Sequence, residues 1–286
     1  MSGGPFTELR VVTTAGWLAR DLRGGSVVPV VHDLGLDVPA DTRSTAWWCP
    51  HQHVARLAVT PGVTQPVLWS PGPRWLTRVA PQHLRRRVWA GPLQDVPASP
   101  LWATGGPLFA KPAEIKVRGL DAAAYPSAEA VTRALRDRGL PSSSTVVLSE
   151  VVRFVEEFRC FVAPGPGGRP RVVAASAYLV DGLTWDAWED GTAAPDPSEA
   201  VAFAGGVVAT VDGPAGYVLD VGRLADGAWA VVEANASWSS SPYHCDPAGV
   251  VASVLAAQDP GAAPGWAWSS DPYMARFARP LPVRST

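Results

Sequence analysis

Two lysines stand close together in a chain that otherwise uses arginine for its positive charges. Lys111 and Lys116 are the only lysines among the 24 basic residues of this 286-residue sequence. Lysine offers a compact ammonium charge, whereas arginine offers a planar fork, so the positions that keep lysine are candidates for a site that needs a point charge. Phosphate contact is one such need. The alternative is a solvated hairpin on which two basic residues fall together by chance.

A second candidate is the segment YVLDVGRLADGAWAVVEAN, which reads as a hairpin with a polar face. Asp226-Gly227 is a preferred pair for a two-residue type I′ turn, and that turn places Asp220 directly opposite Glu233. The strand period of two puts Asn235 on the same face. Opposed carboxylates repel unless a cation lies between them, and Mg²⁺ favours carboxylate and amide oxygens. The pattern favours a magnesium site, and the alternative is a solvent-facing strand pair.

The segment EEFRCFV predicts a strand that presents an acid and a base together. Glu157 and Arg159 share one face, and a guanidinium beside a carboxylate suits binding of phosphate or of a substrate carboxylate. A plain cross-strand ion pair is the alternative. Just upstream, Glu150 ends the apolar run VVLSE before two small apolar residues, a layout compatible with recognition of an adenine by backbone groups.

Composition excludes several classes of function. The net charge of −2 provides no field of one sign for a nucleic acid or an anionic membrane, and Arg85-Arg86-Arg87 is too short a cluster to change this and reads as a solvated helix face. No apolar run is long enough to span a membrane, and the N-terminus lacks the layout of a signal peptide. Three widely spaced cysteines argue against a disulfide framework. We therefore expect a cytoplasmic protein.

The elements that must position these residues change in character near residue 100. The sequence predicts a small α/β region with many loops over residues 1–100 and a regular set of strands and helices over residues 101–260. It predicts a tail over residues 261–286 that is either irregular or packed back onto the body. The elements predicted after residue 100 are strands over Leu108–Lys111, Ile115–Arg118, Thr145–Val152, Glu156–Ala163 and Arg171–Val180, helices over Ser127–Arg138 and Ser198–Thr210, and the hairpin Tyr217–Asn235.

The order of these motifs along the chain, from about Leu108 to Tyr243, resembles that of the ATP-grasp superfamily. The resemblance is to the branch with one arginine and two lysines in particular. The resemblance implies an α+β fold in which two α+β subdomains grip ATP, here preceded by the small α/β N-terminal region. It also implies a reaction in which ATP activates a carboxylate as an acyl phosphate, which a nucleophile such as an amine then attacks. One departure is the short loop after Lys111, which has only Gly119 where many members place a longer glycine-rich flap.

The resemblance assigns a role to each residue that matches the family's motifs. The implied roles are phosphate binding for Lys111 and Lys116, contact with adenine for Glu150 and Val152, contact with ribose or substrate for Glu157, support of the transferred phosphate for Arg159, and binding of Mg²⁺ for Asp220, Glu233 and Asn235. Arg159 and Lys116 are thus the expected catalytic residues.

The expected substrates are a small-molecule or peptide carboxylate and an amine. A thiol or a hydroxyl in place of the amine is less favoured. Trp185, Trp188 and the segment SWSSSPYH are candidates for the acceptor pocket, although a chain with 13 tryptophans buries many of them. Two other classes stay open: a non-catalytic ATP-binding module, and a nucleotidyl transferase that adenylates Lys111. A zinc site at Cys49, His51 and His53 matches no familiar ligand spacing. The sequence does not indicate the oligomeric state.

Overall fold

Two antiparallel sheets carry most of the candidate residues, and a small parallel sheet precedes them. The structure is a computed structural model that describes residues 5–117, 119–120, 122–187, 194–258 and 264–284. In chain order its strands are β1 (Glu8–Val12), β2 (Val30–Asp33), β3 (Val38–Pro39), β4 (Thr45–Trp48), β5 (Val88–Pro92), β6 (Leu108–Pro112), β7 (Ala123–Tyr125), β8 (Thr145–Glu150), β9 (Phe154–Pro164), β10 (Pro170–Val180), β11 (Leu183–Thr184), β12 (Tyr217–Leu224), β13 (Trp229–Asn235) and β14 (Val283–Arg284). Its helices are α1 (Gly16–Arg23), α2 (His51–Ala58), α3 (Pro81–Leu84), α4 (Ala128–Asp137), α5 (Ser198–Val208), α6 (Pro247–Ala256) and α7 (Pro272–Phe277).

The N-terminal region contains a small parallel sheet together with helices α1 and α2. Its parallel sheet has the order β2-β1-β4. One apolar core contains residues of this sheet, of α1 and α2, and of α6 from the far end of the chain, together with Phe161 and Val218 of the largest sheet. The N-terminal unit therefore packs against the sheet that carries the second half of the candidate site.

The first antiparallel sheet has the order β5-β8-β6-β7 and carries Lys111. Its strand β5 lies on the N-terminal side of residue 100, where the sequence suggested a change in organisation, and pairs with β8. Helix α4 covers one face through Val131 and Leu135, and Ser127 caps it by accepting a hydrogen bond from the backbone N–H of Ala130. Alternation along β6 buries Leu108 and Ala110 on that face and turns Lys111 to the other.

The predicted strand Ile115–Arg118 is wrong. In the structure Lys111 and Pro112 end β6, and the chain returns only at β7. Glu114 adopts a left-handed backbone with φ of 56°, which breaks the extended conformation directly before the predicted strand. Ile115 and Val117 are buried in the core beside α4, so their apolar character reflects packing without strand pairing. Arg118 lies outside the described residues.

The second antiparallel sheet has the order β11-β10-β9-β12-β13 and contains the predicted hairpin. Helix α5 covers one face, where Phe158, Cys160 and Val162 of β9 pack. The opposite face holds Arg159 and Asp220 in register on β9 and β12, and Asp220 is paired in turn with Glu233 on β13. The predicted pairing of Asp220 with Glu233 is therefore confirmed.

The predicted two-residue turn, however, is wrong. The backbone N–H of Leu224 donates to the carbonyl of Ala228 (2.8 Å), which closes a loop of three residues, and Gly227 takes the left-handed conformation (φ of 84°). This is the hairpin loop in which a type I turn is followed by a left-handed residue. A register shift between Asp220 and Val221, which leaves Val232 as a β-bulge, restores the predicted pairing further along the strands.

The tail packs back onto the molecule. Trp69 forms an isolated antiparallel bridge with Ala267, and β14 pairs in parallel with β3 of the N-terminal region. None of the helices in the described ranges is long and apolar enough to cross a lipid bilayer. All three cysteines are buried free thiols.

Candidate active site

The polar faces of the two antiparallel sheets bring together most of the residues predicted for the site. Lys111 reaches from β6 of the first sheet and forms an ion pair with Glu233 on β13 of the second. Asn235 donates from Nδ2 to Oε1 of Glu233 (2.8 Å). Arg159, Asp220 and Glu157 lie close enough for their charges to act on Lys111. One charged cluster thus spans the interface between two sheets that are distant in sequence.

Arg159 and Asp220 form a buried bidentate ion pair at the base of this cluster. Nε and Nη2 of Arg159 donate to the two carboxylate oxygens of Asp220, at 3.0 and 2.7 Å. Nη1 donates to the carbonyl of Ser241 (3.1 Å), which fixes the guanidinium plane. The Asp220 side chain is 0% exposed. Burial opposes the charge on Arg159, but the Asp220 carboxylate outweighs it and raises the pKa of Arg159. The cross-strand ion pair, which was the alternative for Arg159, is present.

Glu233 and Asn235 provide the donor set that suits a hard cation. Both contribute oxygen atoms, and the Glu233 side chain is 24% exposed. Asp220 is less available, because both of its oxygens already accept hydrogen bonds from Arg159. Glu233 and Asn235 therefore fit Mg²⁺ well, Asp220 could join only through its remaining lone pairs, and the three-residue metal site stays a prediction.

Across the described residues, no group of three or more His, Cys, Asp or Glu side chains is placed to hold a metal ion by itself. Cys49 is buried, and the ring of His51 stacks on Trp268 with centroids 5.5 Å apart. Burial lowers the pKa of His51 to about 4, so this ring is neutral at physiological pH. Packing explains these residues without zinc.

Glu157 lies on the same face as Arg159 and accepts a hydrogen bond from the hydroxyl of Tyr178. Burial raises the pKa of Glu157, and the Tyr178 hydrogen bond opposes that rise. Tyr178 in turn stacks on Tyr243 (centroids 5.1 Å apart), and Trp185 meets Tyr243 edge-on at 5.7 Å. The Arg159 guanidinium lies 4.9 Å from the centre of the Tyr243 ring. Trp185 therefore lies near the charged cluster, whereas Trp188 is outside the described residues.

Lys116 and Glu150 are less closely tied to the cluster. Lys116 is exposed. Both carboxylate oxygens of Glu150 accept hydrogen bonds from Arg87, one from its backbone N–H (2.7 Å) and one from its guanidinium. Val152 lies in the link between β8 and β9, which connects the two sheets, and is partly buried. Their predicted contacts with phosphate and adenine remain predictions.

Arg86 was not predicted as a site residue, because the sequence pattern Arg85-Arg86-Arg87 indicated a solvated helix face. Its Nη1 and Nη2 donate to the carbonyls of Val231 (2.7 Å) and Val232 (2.9 Å) on β13, the edge strand of its sheet. Burial lowers the pKa of Arg86 to about 10, and the nearby Glu157 opposes that fall. Arg86 therefore adds positive charge beside Lys111. No sequence signal distinguishes it from Arg85 and Arg87.

Glu114 was also missed, and two adjoining cavities meet at it. The smaller, of about 320 Å³, is lined by Lys111, Glu233 and Asn235 of the cluster. The larger, of about 620 Å³, lies beyond the end of β6. The residues that line both are Gly72, Pro73, Ala113 and Glu114. The charged cluster therefore opens toward a second, larger space.

Comparison with solved structures shows the fold. A RimK domain protein of the ATP-grasp type from Sphaerobacter thermophilus is similar to this chain with a TM-score of 0.50 at 13% identity, over 87% of this chain and 99% of that one. The D-cycloserine synthetase DcsG is similar with a TM-score of 0.50 at 19% identity, over 87% and 98% of the two chains. No curated protein matches the chain. The two sheets that face each other across the charged cluster thus have the ATP-grasp fold.

The sequence identifies the family within the ATP-grasp superfamily to which the chain belongs. Residues 34–255, well over half of the chain, match the model of an ATP-grasp domain, family 3 of the clade named for one arginine and two lysines. The chain belongs to this family, and the predicted superfamily and α+β fold are both confirmed. ATP-grasp proteins are ATP-dependent ligases, so ATP binding and ligase chemistry are the general function that the family supports.

Proposed function

We propose that this protein is an ATP- and Mg²⁺-dependent carboxylate–amine ligase that releases ADP and phosphate. The observation that supports it best is the charged cluster between the sheets, in which Lys111 and the pair Glu233–Asn235 line one cavity and Arg159 lies close to Lys111. Transfer of a phosphoryl group asks a protein for positioning and for positive charge around the phosphate, and no covalent residue is needed. The same cluster could also support a ligase that uses a thiol instead of an amine as the second substrate.

Each residue has a role that follows from its contacts. Lys111 presents an ammonium to the phosphates of ATP, and Arg159, held rigidly by Asp220, contributes its positive charge close to the group in transfer. Mg²⁺ bound by Glu233 and Asn235 would neutralise charge on the phosphates. An oxygen of the substrate carboxylate bonds to the γ-phosphorus, and ADP leaves. The amine nitrogen then bonds to the carbonyl carbon, phosphate leaves with the bonding electrons, and the amine gives up a proton to solvent or a base.

Product identity tests the proposal against its two rivals. The purified protein would be incubated with ATP, Mg²⁺, hydroxylamine and pools of the proteinogenic amino acids and of small dicarboxylic acids, because hydroxylamine traps acyl phosphates as hydroxamates. We expect a pool that raises release of ADP and phosphate and yields a hydroxamate. Release of pyrophosphate with AMP attached to Lys111 would indicate the nucleotidyl transferase instead. Binding of ATP without turnover in every pool would indicate a binding module.

The pH dependence of ATP use should report on Lys111. Burial lowers the pKa of Lys111 to about 8, while the negative charges of Asp220 and Glu157 and the contact with Glu233 oppose that fall. The ammonium is therefore present below pH 8 and lost above it, so kcat/KM for ATP should decline as the pH rises through about 8. In Lys111→Arg the charge persists, because the pKa of arginine exceeds about 12. We expect a lower kcat/KM at pH 7 in this variant but no decline up to pH 9.5. An identical decline in both proteins would assign it to another group.

A further inference from the structure

The larger cavity lies on the far side of Lys111 from the link between the sheets. The antiparallel register of β6 and β8 pairs Leu108 with Glu150, next to the link, and pairs Lys111 with Val147 three residues further along. Beyond the strand, the backbone N–H of Ala113 donates to the carbonyl of Thr145 (2.9 Å), and Glu114 follows. A nucleotide whose base lies at the link and whose phosphates lie at Lys111 points its terminal phosphate toward Glu114 and the larger cavity.

Glu114 is held in place at the junction of the two cavities. Its left-handed backbone is strained for a residue with a side chain. The buried hydroxyl of Ser70 donates to its carboxylate and accepts from the backbone N–H of Gly72 (3.1 Å), so the hydroxyl has one orientation only. A strained backbone and an oriented donor fix this carboxylate against the cavity wall.

The charges around the larger cavity are negative. Among the described residues no Lys, Arg or His side chain forms an ion pair with Glu114 or with Asp271, which also lines this cavity. The Asp271 carboxylate accepts hydrogen bonds from two neutral groups, the Ser144 hydroxyl (2.8 Å) and the Tyr273 N–H (2.7 Å). Burial raises the pKa of Glu114, and the charge of Asp271 raises it further. A buried carboxylate without a cation is costly, and a positively charged ligand would offset that cost.

We infer that the larger cavity is the binding site for the amine substrate, and that the Glu114 carboxylate binds its ammonium group. This inference rests on the proposed ligase function and names the chemical class of one substrate: a small primary amine that is positively charged in solution. Ser269, Ser270 and Thr145 add hydroxyls to the wall, and Trp268 adds an apolar surface. Glu114 is a specificity residue in this assignment, because it binds the amine before the amine reacts.

Binding of a probe cation tests the inference without knowledge of the true substrate. The probe is glycinamide, whose ammonium is replaced by a hydroxyl in the neutral control glycolamide. The ¹⁵N-labelled indole of Trp268, assigned with Trp268→Phe, reports occupancy of the cavity by NMR. In the wild type, glycinamide should shift this resonance saturably and glycolamide should not. In Glu114→Gln the affinity for glycinamide should fall at least tenfold, whereas Glu129→Gln, which removes an exposed acid on α4, should leave it unchanged.

Loss of structure is separated from loss of binding by the pH dependence of stability. A carboxyl whose pKa is raised on folding destabilises the native state as the pH rises above its unfolded value, near 4.5. Glu114→Gln should therefore be at least as stable as the wild type at pH 7.5 in thermal unfolding, and this advantage should disappear near pH 4. A variant that melts well below the wild type at pH 7.5 would show that Glu114 serves the fold.

The outcomes distinguish this inference from the proposed function. Binding of a non-hydrolysable ATP analogue with Mg²⁺ is measured by calorimetry on the same samples. If the nucleotide binds but glycinamide does not, or binds equally well to Glu114→Gln, the inference is wrong and the ligase proposal is untouched. Equal binding of glycolamide and glycinamide also overturns it. If the nucleotide itself fails to bind, the proposed function fails.

Discussion

Replacement of Asp220 by alanine is expected to lower the free energy of unfolding by about 3–5 kcal/mol, because it leaves Arg159 buried without its partner. The side chains of the pair are 10% and 0% exposed, so water cannot replace the lost carboxylate. Urea unfolding followed by tryptophan fluorescence measures the change. The double variant Arg159→Met, Asp220→Leu is the matched control, and it should recover most of the stability because two apolar side chains of similar size fill the same space.

The same variants separate the two roles proposed for Asp220. If Asp220 acts mainly through the position of Arg159, the stable double variant should still bind the nucleotide with Mg²⁺ but lose turnover. If Asp220 is chiefly a metal ligand, Asp220→Ala should keep the stability of the wild type and lose the magnesium dependence of nucleotide binding. That second outcome would contradict the structural importance of the buried ion pair.

Replacement of Lys111 by alanine is expected to lower kcat/KM for ATP about 100- to 1,000-fold, the loss typical when one group that stabilises transition-state charge is removed. The fold should remain, because the ion pair with Glu233 is partly exposed and such pairs contribute about 1 kcal/mol or less. Release of ADP measures kcat/KM for ATP, and thermal unfolding measures the stability of the fold.

Arg20→Ala is the matched control for Lys111→Ala. The Arg20 side chain is 73% exposed on α1, so its loss removes one positive charge without altering the cluster. It should leave ATP turnover unchanged. Turnover at the wild-type level in Lys111→Ala would show that Lys111 pairs with Glu233 for structural reasons alone and would remove it from the site.

The sequence identified the two surfaces of the site but not how they meet. Strand periodicity places Glu157 beside Arg159 and Asp220 opposite Glu233, since both relations depend only on residues close in the chain. The pairing of Arg159 with Asp220 depends on β9 lying next to β12, and the contact of Lys111 with Glu233 depends on the packing of two sheets. Periodicity specifies the face of a strand, but it does not specify what covers that face.

The hairpin was predicted correctly for a partly wrong reason. The loop has one residue more than the Asp226-Gly227 turn implies, and the bulge at Val232 adds one more on the opposite strand, so the two differences cancel at Asp220 and Glu233. Arg86 was missed because the groups that it contacts are backbone carbonyls of β13, about 145 residues further along the chain. Glu114 was missed because a left-handed backbone at a residue other than glycine leaves no trace in the sequence.

The walls of the larger cavity come from four stretches that are separate in the chain: residues 70–73, residues 113–115, residues 143–145 and residues 267–274. Lys111, Glu233 and Asn235, by contrast, all lie within the two antiparallel sheets. The charged cluster and the wall of the larger cavity are therefore built from different parts of the fold. On the proposal that the larger cavity binds the amine, a change confined to the segment after residue 266 should alter the choice of substrate while nucleotide binding stays intact.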